Sequence, residues 1–178
     1  LPALNRDDEI AEAFQKFEST QKSVLFVGHD GVGKTTILEG IAQLMVMEKV
    51  PKQLADKRLL FLDVATMLSS FPAQEIQQIF QHILSEIARA RNIVLVFENL
   101  ESLIPNTDAG GINLLDILLQ FVENRAFYCF ATVTPQNYID YVEKTKVNQV
   151  FSVIQIQEFE DDDAIQVVEG RSVSIENK

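Results

Sequence analysis

The stretch Val24–Thr36, VLFVGHDGVGKTT, constrains the fold more than any other part of this chain. A short apolar run of β-forming residues leads into Gly28-His29-Asp30-Gly31-Val32-Gly33-Lys34-Thr35. That is G-x-x-x-x-G-K-T, the phosphate-binding loop. Glycines let the backbone curl so that its N–H groups converge on phosphate oxygens. The loop then opens a helix whose N-terminus adds a positive dipole end. In this arrangement Lys34 reaches the β- and γ-phosphates and the Thr35 hydroxyl holds Mg²⁺. The flanks match what the motif demands: VLFV reads as a buried strand and TILEGIAQLMVMEK as an amphipathic helix. A chance glycine turn before a helix is the bland alternative, and the complete motif in a strand–loop–helix context disfavours it. The expected ligand-contacting set is Gly28 to Thr36. His29 occupies a variable position of the loop and reads as a tolerated loop residue, not a catalyst.

The length of 178 residues fits one domain with a sizeable core, and a hydrophobic content of 47% fits a globular class. No apolar run is long enough to span a membrane and no signal peptide is visible, so no membrane partner is expected. The chain begins with Leu1 and is read as a piece of something longer. A formal net charge of −11 argues against nucleic-acid binding, which needs a basic footprint. The one cysteine, Cys129, lies in an apolar run and reads as a packing residue; a single cysteine also fits a reducing cytoplasm.

Along the chain, Asp7–Ser19 has helical apolar spacing with acidic residues in its first turn. Met47–Lys57 reads as a loop, Arg58–Asp63 (RLLFLD) as a second buried strand, and Val64–Ala73 as a loop with an exposed Phe71-Pro72. Gln74–Arg91 is a long amphipathic helix, with Ile76, Ile79, Phe80, Ile83, Leu84 and Ile87 on one face. Asn92–Phe97 is a third strand ending at Glu98-Asn99, and Leu103–Gly111 reads as a mobile loop. A helix over Ile112–Asn124, a strand over Ala126–Val133 ending in Thr134, a helix over Gln136–Lys144 and a strand over Phe151–Gln157 follow. Glu158–Glu169 carries six acidic residues and no basic one; a helix start and a solvated charge run are both open. Strands that are apolar throughout, alternating with helices, indicate an α/β fold with a parallel sheet covered on both faces. Ligands then sit at the carboxyl ends of the strands, where Lys34, Glu98, Asn99 and Thr134 all fall.

Beyond the loop, EGIAQLMVMEKVP, RLLFLDVATML and EIQQIFQHILSEIARA, together with the lead-in Leu4-Asn5-Arg6-Asp7-Asp8-Glu9-Ile10 and the segment Ala131–Tyr138, are similar to known sequences. They resemble the first nucleotide-binding domain of Clp unfoldases and ClpB-type disaggregases, of the AAA+ class, from about Leu4 to about Glu169. The resemblance implies a five-stranded P-loop sheet in the order 5-1-4-3-2, with the Thr134 strand between those of Lys34 and Glu98. It implies Thr134 near the γ-phosphate, Asn5 and Arg6 near the adenine, and ATP with Mg²⁺ as ligands. It further implies hexameric rings of neighbouring subunits that thread polypeptide substrates, in some cases beside a Clp-type peptidase. On this reading residues 1–170 are the large subdomain and 171–178 a tail, with the helical lid missing.

The departures from the family pattern are chemical. The metal-coordinating Asp and catalytic Glu of the family map onto Glu98 and Asn99. Glu98 still accepts a hydrogen bond from Mg²⁺-bound water, whereas Asn99 is neutral and cannot take a proton from an attacking water. An amide can orient a water, as a glutamine does in some GTPases. The paired arginines that reach a neighbouring site map onto Gln149 and Val150, neither of which stabilises phosphate charge; Lys144 and Lys146 are nearby substitutes. The family's pore-loop aromatic maps onto Phe71 without its flanking charges, so Phe71 either grips polypeptide or packs. Asp63 reads as a cap, Glu39 as a helix-surface residue and His82 as solvent-facing or capping. Absence of N-K-x-D disfavours GTP.

Two functions are therefore expected to compete: a module that binds Mg–ATP with weak or absent hydrolysis in a regulatory or assembly role, and an active motor that unfolds and threads polypeptide. An unrelated P-loop kinase or switch ranks far below both.

Overall fold

The computed structural model describes residues 6–31, 33–104 and 113–157. Five parallel strands form one sheet: β1 (Ser23–Val27), β2 (Arg58–Phe61), β3 (Ile93–Phe97), β4 (Tyr128–Val133) and β5 (Phe151–Gln155). Their spatial order is β2-β3-β4-β1-β5, the order implied by the family resemblance. The register aligns Val27 with Val133 and with Gln155, and Phe97 with Ala131, so the carboxyl ends of β3, β4, β1 and β5 lie along one edge.

Side chains of a strand alternate between faces, and both faces here are covered. Val24 and Phe26 of β1, Val94 and Val96 of β3 and Phe130 of β4 pack against α1 (Asp7–Thr20) and α2 (Lys34–Val46). Leu25, Val27, Leu95, Phe97, Cys129 and Ala131 pack on the opposite side, against α4 (Ala73–Ala90) and α5 (Leu114–Glu123). α4 buries Ile76, Phe80, Leu84 and Ile87. At about 1.5–3 kcal/mol for each fully buried large apolar side chain, that stripe alone anchors the helix.

Three expectations change. β2 is an edge strand, not a buried one: it pairs only with β3 among the described residues, and Phe61 is 48% exposed. Its apolar sequence suits a strand, but among the described residues no further strand pairs with its outer edge. The segment after it is a helix, α3 (Val64–Ser70), not a loop, because Asp63 accepts the N–H of Thr66 at 3.1 Å and its hydroxyl at 2.8 Å and so starts the first turn. After β4 the helix is broken into α6 (Pro135–Asn137), a wider π turn over Tyr138–Val142, and a separate α7 (Val147–Val150) that the sequence pattern does not mark. Short 3-10 turns occupy Lys52–Leu54 and Leu100–Leu103. The loop expected over Leu103–Gly111 and the acidic run Glu158–Glu169 fall largely or wholly outside the described residues.

Candidate nucleotide-binding site

β1 delivers the phosphate loop at the sheet edge, and Gly28 is tied there by its N–H to the Val133 carbonyl at 3.0 Å. Gly33 has φ +105°, and a Cβ built on it would stand 3.0 Å from Arg6 Nε. The left-handed backbone favours glycine at this position, and any side chain there would also press on Arg6. Lys34 is the first residue of α2 and is buried. Its Nζ donates to the Gly28 carbonyl oxygen at 2.7 Å and stands 3.3 Å from Asp30 Oδ1. The Asp30 side chain is 88% exposed, so this ion pair is screened and weak; the Gly28 bond is the buried one. Thr35 is exposed and Thr36 half-buried in the first turn of α2. Val32 and Asn5 lie outside the described residues.

Arg6 precedes α1 and is buried. Its Nη1 donates to Glu9 Oε1 at 2.9 Å and to the Gln157 carbonyl at 3.0 Å, so it ties the start of α1 to the end of β5 beside Gly33.

On the other side of β4, Glu98 and Asn99 follow β3 and are both exposed. Asn99 adopts a left-handed conformation, φ 62°, and its N–H donates to Thr132 Oγ1 at 3.1 Å. Thr132 is buried on β4, so a threonine in the sheet fixes where the Asn99 backbone turns. Thr134 caps α6 by accepting the Asn137 N–H at 3.2 Å. A cleft of about 330 Å³ beside these residues is bounded by Phe61, Asp63, Glu98, Asn99 and Ser102. Among the described residues, no group of three or more His, Cys, Asp and Glu side chains forms a metal cage. Thr35 and Glu98 suit a magnesium ion held mainly through phosphate and water.

One acidic residue at this edge escapes the motif. Glu101 sits in the turn Leu100–Leu103, and Asn137 Nδ2 donates to its Oε1 at 3.0 Å. Its Oε2 is buried with no partner among the described residues. Burial raises the Glu101 carboxyl above its ordinary range; its own backbone N–H, Asn137 and the charge of Lys34 oppose the rise, and Asp30 adds to it. Lys34 and Asp30 thus act on Glu101 across the site. The sequence signal is its position three residues after Glu98, in the short turn that follows β3.

Other candidates lie elsewhere. Phe71 ends α3 and is 43% exposed, so it is not a core side chain. Val150 is buried at the amino end of β5 and Gln149 is exposed; Lys144 and Lys146 are exposed. His82 and Glu39 are exposed on α4 and α2. Cys129 is buried in β4, and burial pushes its thiol far up, away from reactivity.

A parallel sheet in this order, with a glycine loop entering a helix and polar residues at three strand ends, defines a P-loop α/β domain. Residues 24–147 match the family described as "ATPase family associated with various cellular activities (AAA)", and the chain belongs to it. Within that family it is homologous to the first nucleotide-binding domain of ClpC and ClpB proteins. It is 31% identical over 173 residues to the negative regulator of genetic competence ClpC/MecB of Bacillus subtilis, covering 95% of this chain and 21% of that protein. It is also 31% identical, with the same coverage, to the chaperone protein ClpB of Oceanobacillus iheyensis. The fold superposes on a Saccharomyces cerevisiae Hsp104–ADP complex with a TM-score of 0.75 at 24% identity, covering 93% of this chain and 24% of that one. The chain thus spans about a fifth of the length of these relatives. No helix among the described residues is long and apolar enough to cross a membrane.

Proposed function

We propose that this chain is the ATP-binding module of a Clp/ClpB-like unfoldase or chaperone, holding Mg–ATP with weak or absent hydrolysis and serving regulation or ring assembly. The observation that carries this reading is the contrast between a phosphate loop complete to its buried lysine and an amide, Asn99, where the family places its proton-accepting carboxylate. Lys34 now rests on a neutral carbonyl and an exposed carboxylate. A phosphate oxygen is a stronger partner than the carbonyl, so nucleotide draws the ammonium off its own loop. The N-terminus of α2 and the loop N–H groups supply the remaining donors. Thr35 and Glu98 hold the magnesium ion, which neutralises charge between the phosphates.

Hydrolysis is where the site is poor. Asn99 can orient a water but cannot accept its proton. Buried Val150 and neutral Gln149 give a neighbouring subunit nothing with which to stabilise phosphate charge. Thr134 serves as the γ-phosphate contact, Arg6 and Asn5 frame the adenine side, and exposed Phe71 is left for polypeptide contact in a ring, expected to be hexameric and cytoplasmic.

The test is a paired measurement on the purified protein: ATP affinity by calorimetry and phosphate release on the same sample. Tight binding with release far below that of an active Clp-type ATPase is expected. Tight binding with release at motor rates overturns the regulatory reading in favour of a threading motor. No binding removes the nucleotide function altogether.

A further inference from the structure

We propose that a basic cleft at the amino edge of the sheet is a docking site for an acidic segment of a partner polypeptide, one with carboxylates on alternate residues. The cleft lies at the opposite end of the strands from the phosphate loop and is independent of what that loop binds.

The cleft has a volume of about 430 Å³, and its lining includes Lys57, Arg91, Arg125, Ala88, Ile93 and Phe127. Among the described residues its charged lining is wholly cationic, in a chain whose formal net charge is −11. Asp56, Glu86 and Glu123 are near in sequence but do not line it. None of the three cations is ion-paired among the described residues. Lys57 Nζ donates to the Arg91 carbonyl at 2.8 Å and Arg125 Nη1 to Gln21 Oε1 at 3.5 Å, both neutral acceptors. Most of their donors are therefore left for a ligand. Lys57 serves the end of α4, as a cation at a helix C-terminus does. The arginines need another reason. Arg91 and Arg125 follow α4 and α5 with φ 64° and 57°, where glycine or asparagine would serve the backbone at lower cost. A guanidinium at both places is more than the helix ends require.

The spacing selects the ligand. Four neighbouring strands are each preceded by a cation: Lys57 before β2, Arg91 before β3, Arg125 before β4 and half-buried Lys22 before β1, in that spatial order. Neighbouring strands stand about 4.8 Å apart, so the row extends over about 14 Å. Side chains on one side of an extended chain recur about every 7 Å, so carboxylates on three alternate residues cover the same length. A single phosphate needs donors that converge on one point, whereas these cations start from four separate strands. A nucleic acid would run on past the row and meet the acidic remainder of the chain. The guanidinium groups supply bidentate geometry for carboxylates, and Ala88, Ile93 and Phe127 give the residues between them apolar contact. The chain's own acidic run, Glu158–Glu169, starts after Gln157, whose carbonyl is held by Arg6 beside Gly33 at the other edge, so a partner segment suits the row better.

The experiment measures binding of a fluorescent peptide of about eight residues, glutamate alternating with alanine, to the purified protein by anisotropy. The same peptide with glutamine in place of glutamate is the neutral comparison. The glutamate peptide is expected to bind and the glutamine peptide not to. Arg91→Gln and Arg125→Gln should each weaken binding about tenfold, the loss of one charge-assisted bond pair. Lys16→Glu, which changes net charge by more but lies on α1 outside the cleft, should leave binding unchanged within about twofold. Circular dichroism and Tm confirm that each variant is folded. No binding of the glutamate peptide at about 1 mM overturns the proposal, as does equal binding of the glutamine peptide. An equal loss in Lys16→Glu and in the cleft variants also overturns it, by reducing the effect to overall charge. Pyrophosphate binding that Arg91→Gln and Arg125→Gln abolish, without peptide binding, replaces the acidic segment by a small phosphate ligand. Peptide binding that appears only after Asp161→Asn, Asp162→Asn and Asp163→Asn gives the cleft to the chain's own acidic run and removes the partner.

Discussion

Asn99 combines two local facts that pull in different directions. Its amide removes the proton acceptor that the family keeps after β3, and its left-handed backbone, φ 62°, is a conformation that asparagine tolerates better than most residues. Asn99→Glu restores a carboxylate but places a longer side chain on that backbone. We expect phosphate release to rise in the assembled protein and folding stability to fall by about 1 kcal/mol, read by denaturant unfolding. Flat release in an assembled ring would show that the missing carboxylate is not what limits turnover. The sequence disclosed the amide through the family pattern. It disclosed neither the backbone conformation nor the Thr132 hydroxyl that receives the Asn99 N–H, because a partner 33 positions away on another strand leaves no local signature.

Among the elements, those with a long apolar stripe were legible and those decided by a cap or a break were not. α4 follows its stripe to within a residue, Ala73–Ala90 against an expected Gln74–Arg91. α3 was hidden, since seven residues carry too few turns for a periodic signal, and Asp63 rather than the pattern starts it. α5 shows the same device: Asn113 Oδ1 accepts the N–H of Leu115 at 3.0 Å and of Asp116 at 3.3 Å. Asn113→Ala should cost about 1 kcal/mol, seen as a lower unfolding midpoint at an unchanged denaturant slope. A change below a few tenths would mean that packing of Leu114, Leu115, Leu118 and Leu119 alone sets the start of this helix. The sequence pattern predicts one helix after β4, over Gln136–Lys144. Instead, Pro135 starts a short α6, the π turn follows, and Thr145 closes the end by donating to the Val142 carbonyl and accepting the Val147 N–H at 3.2 Å.

For the whole molecule, nucleotide binding and folding are linked. A ligand that binds only the folded state at a hundred times its Kd adds about 2.7 kcal/mol. For a domain of this size that corresponds to a rise in Tm of about 5–10 °C. Mg–ATP should produce such a shift, and Lys34→Ala should abolish it while the ligand-free Tm stays close to that of the parent. A shift that survives Lys34→Ala would move the nucleotide away from the phosphate loop. The shift should not require a ring, because Arg6, the loop and both strand-end pairs all come from one chain.

The α/β class, the parallel sheet and the loop that addresses phosphate were determined by the sequence itself. Each rests on neighbours in the chain: fully apolar strands, helical periodicity, glycines one turn from a lysine. Order and spacing beyond the loop carried the kinship with Clp and ClpB domains, and with it the strand order. What only the tertiary structure decided depends on groups far apart in sequence meeting at one sheet edge. Arg6 closing on Gly33 and Gln157 is one such meeting, and Val150 turning into the core is another. Glu101 is the third: its half-satisfied carboxylate exists because the turn after β3 is pressed against the segment after β4, and burial by a distant neighbour is a property that no local pattern encodes.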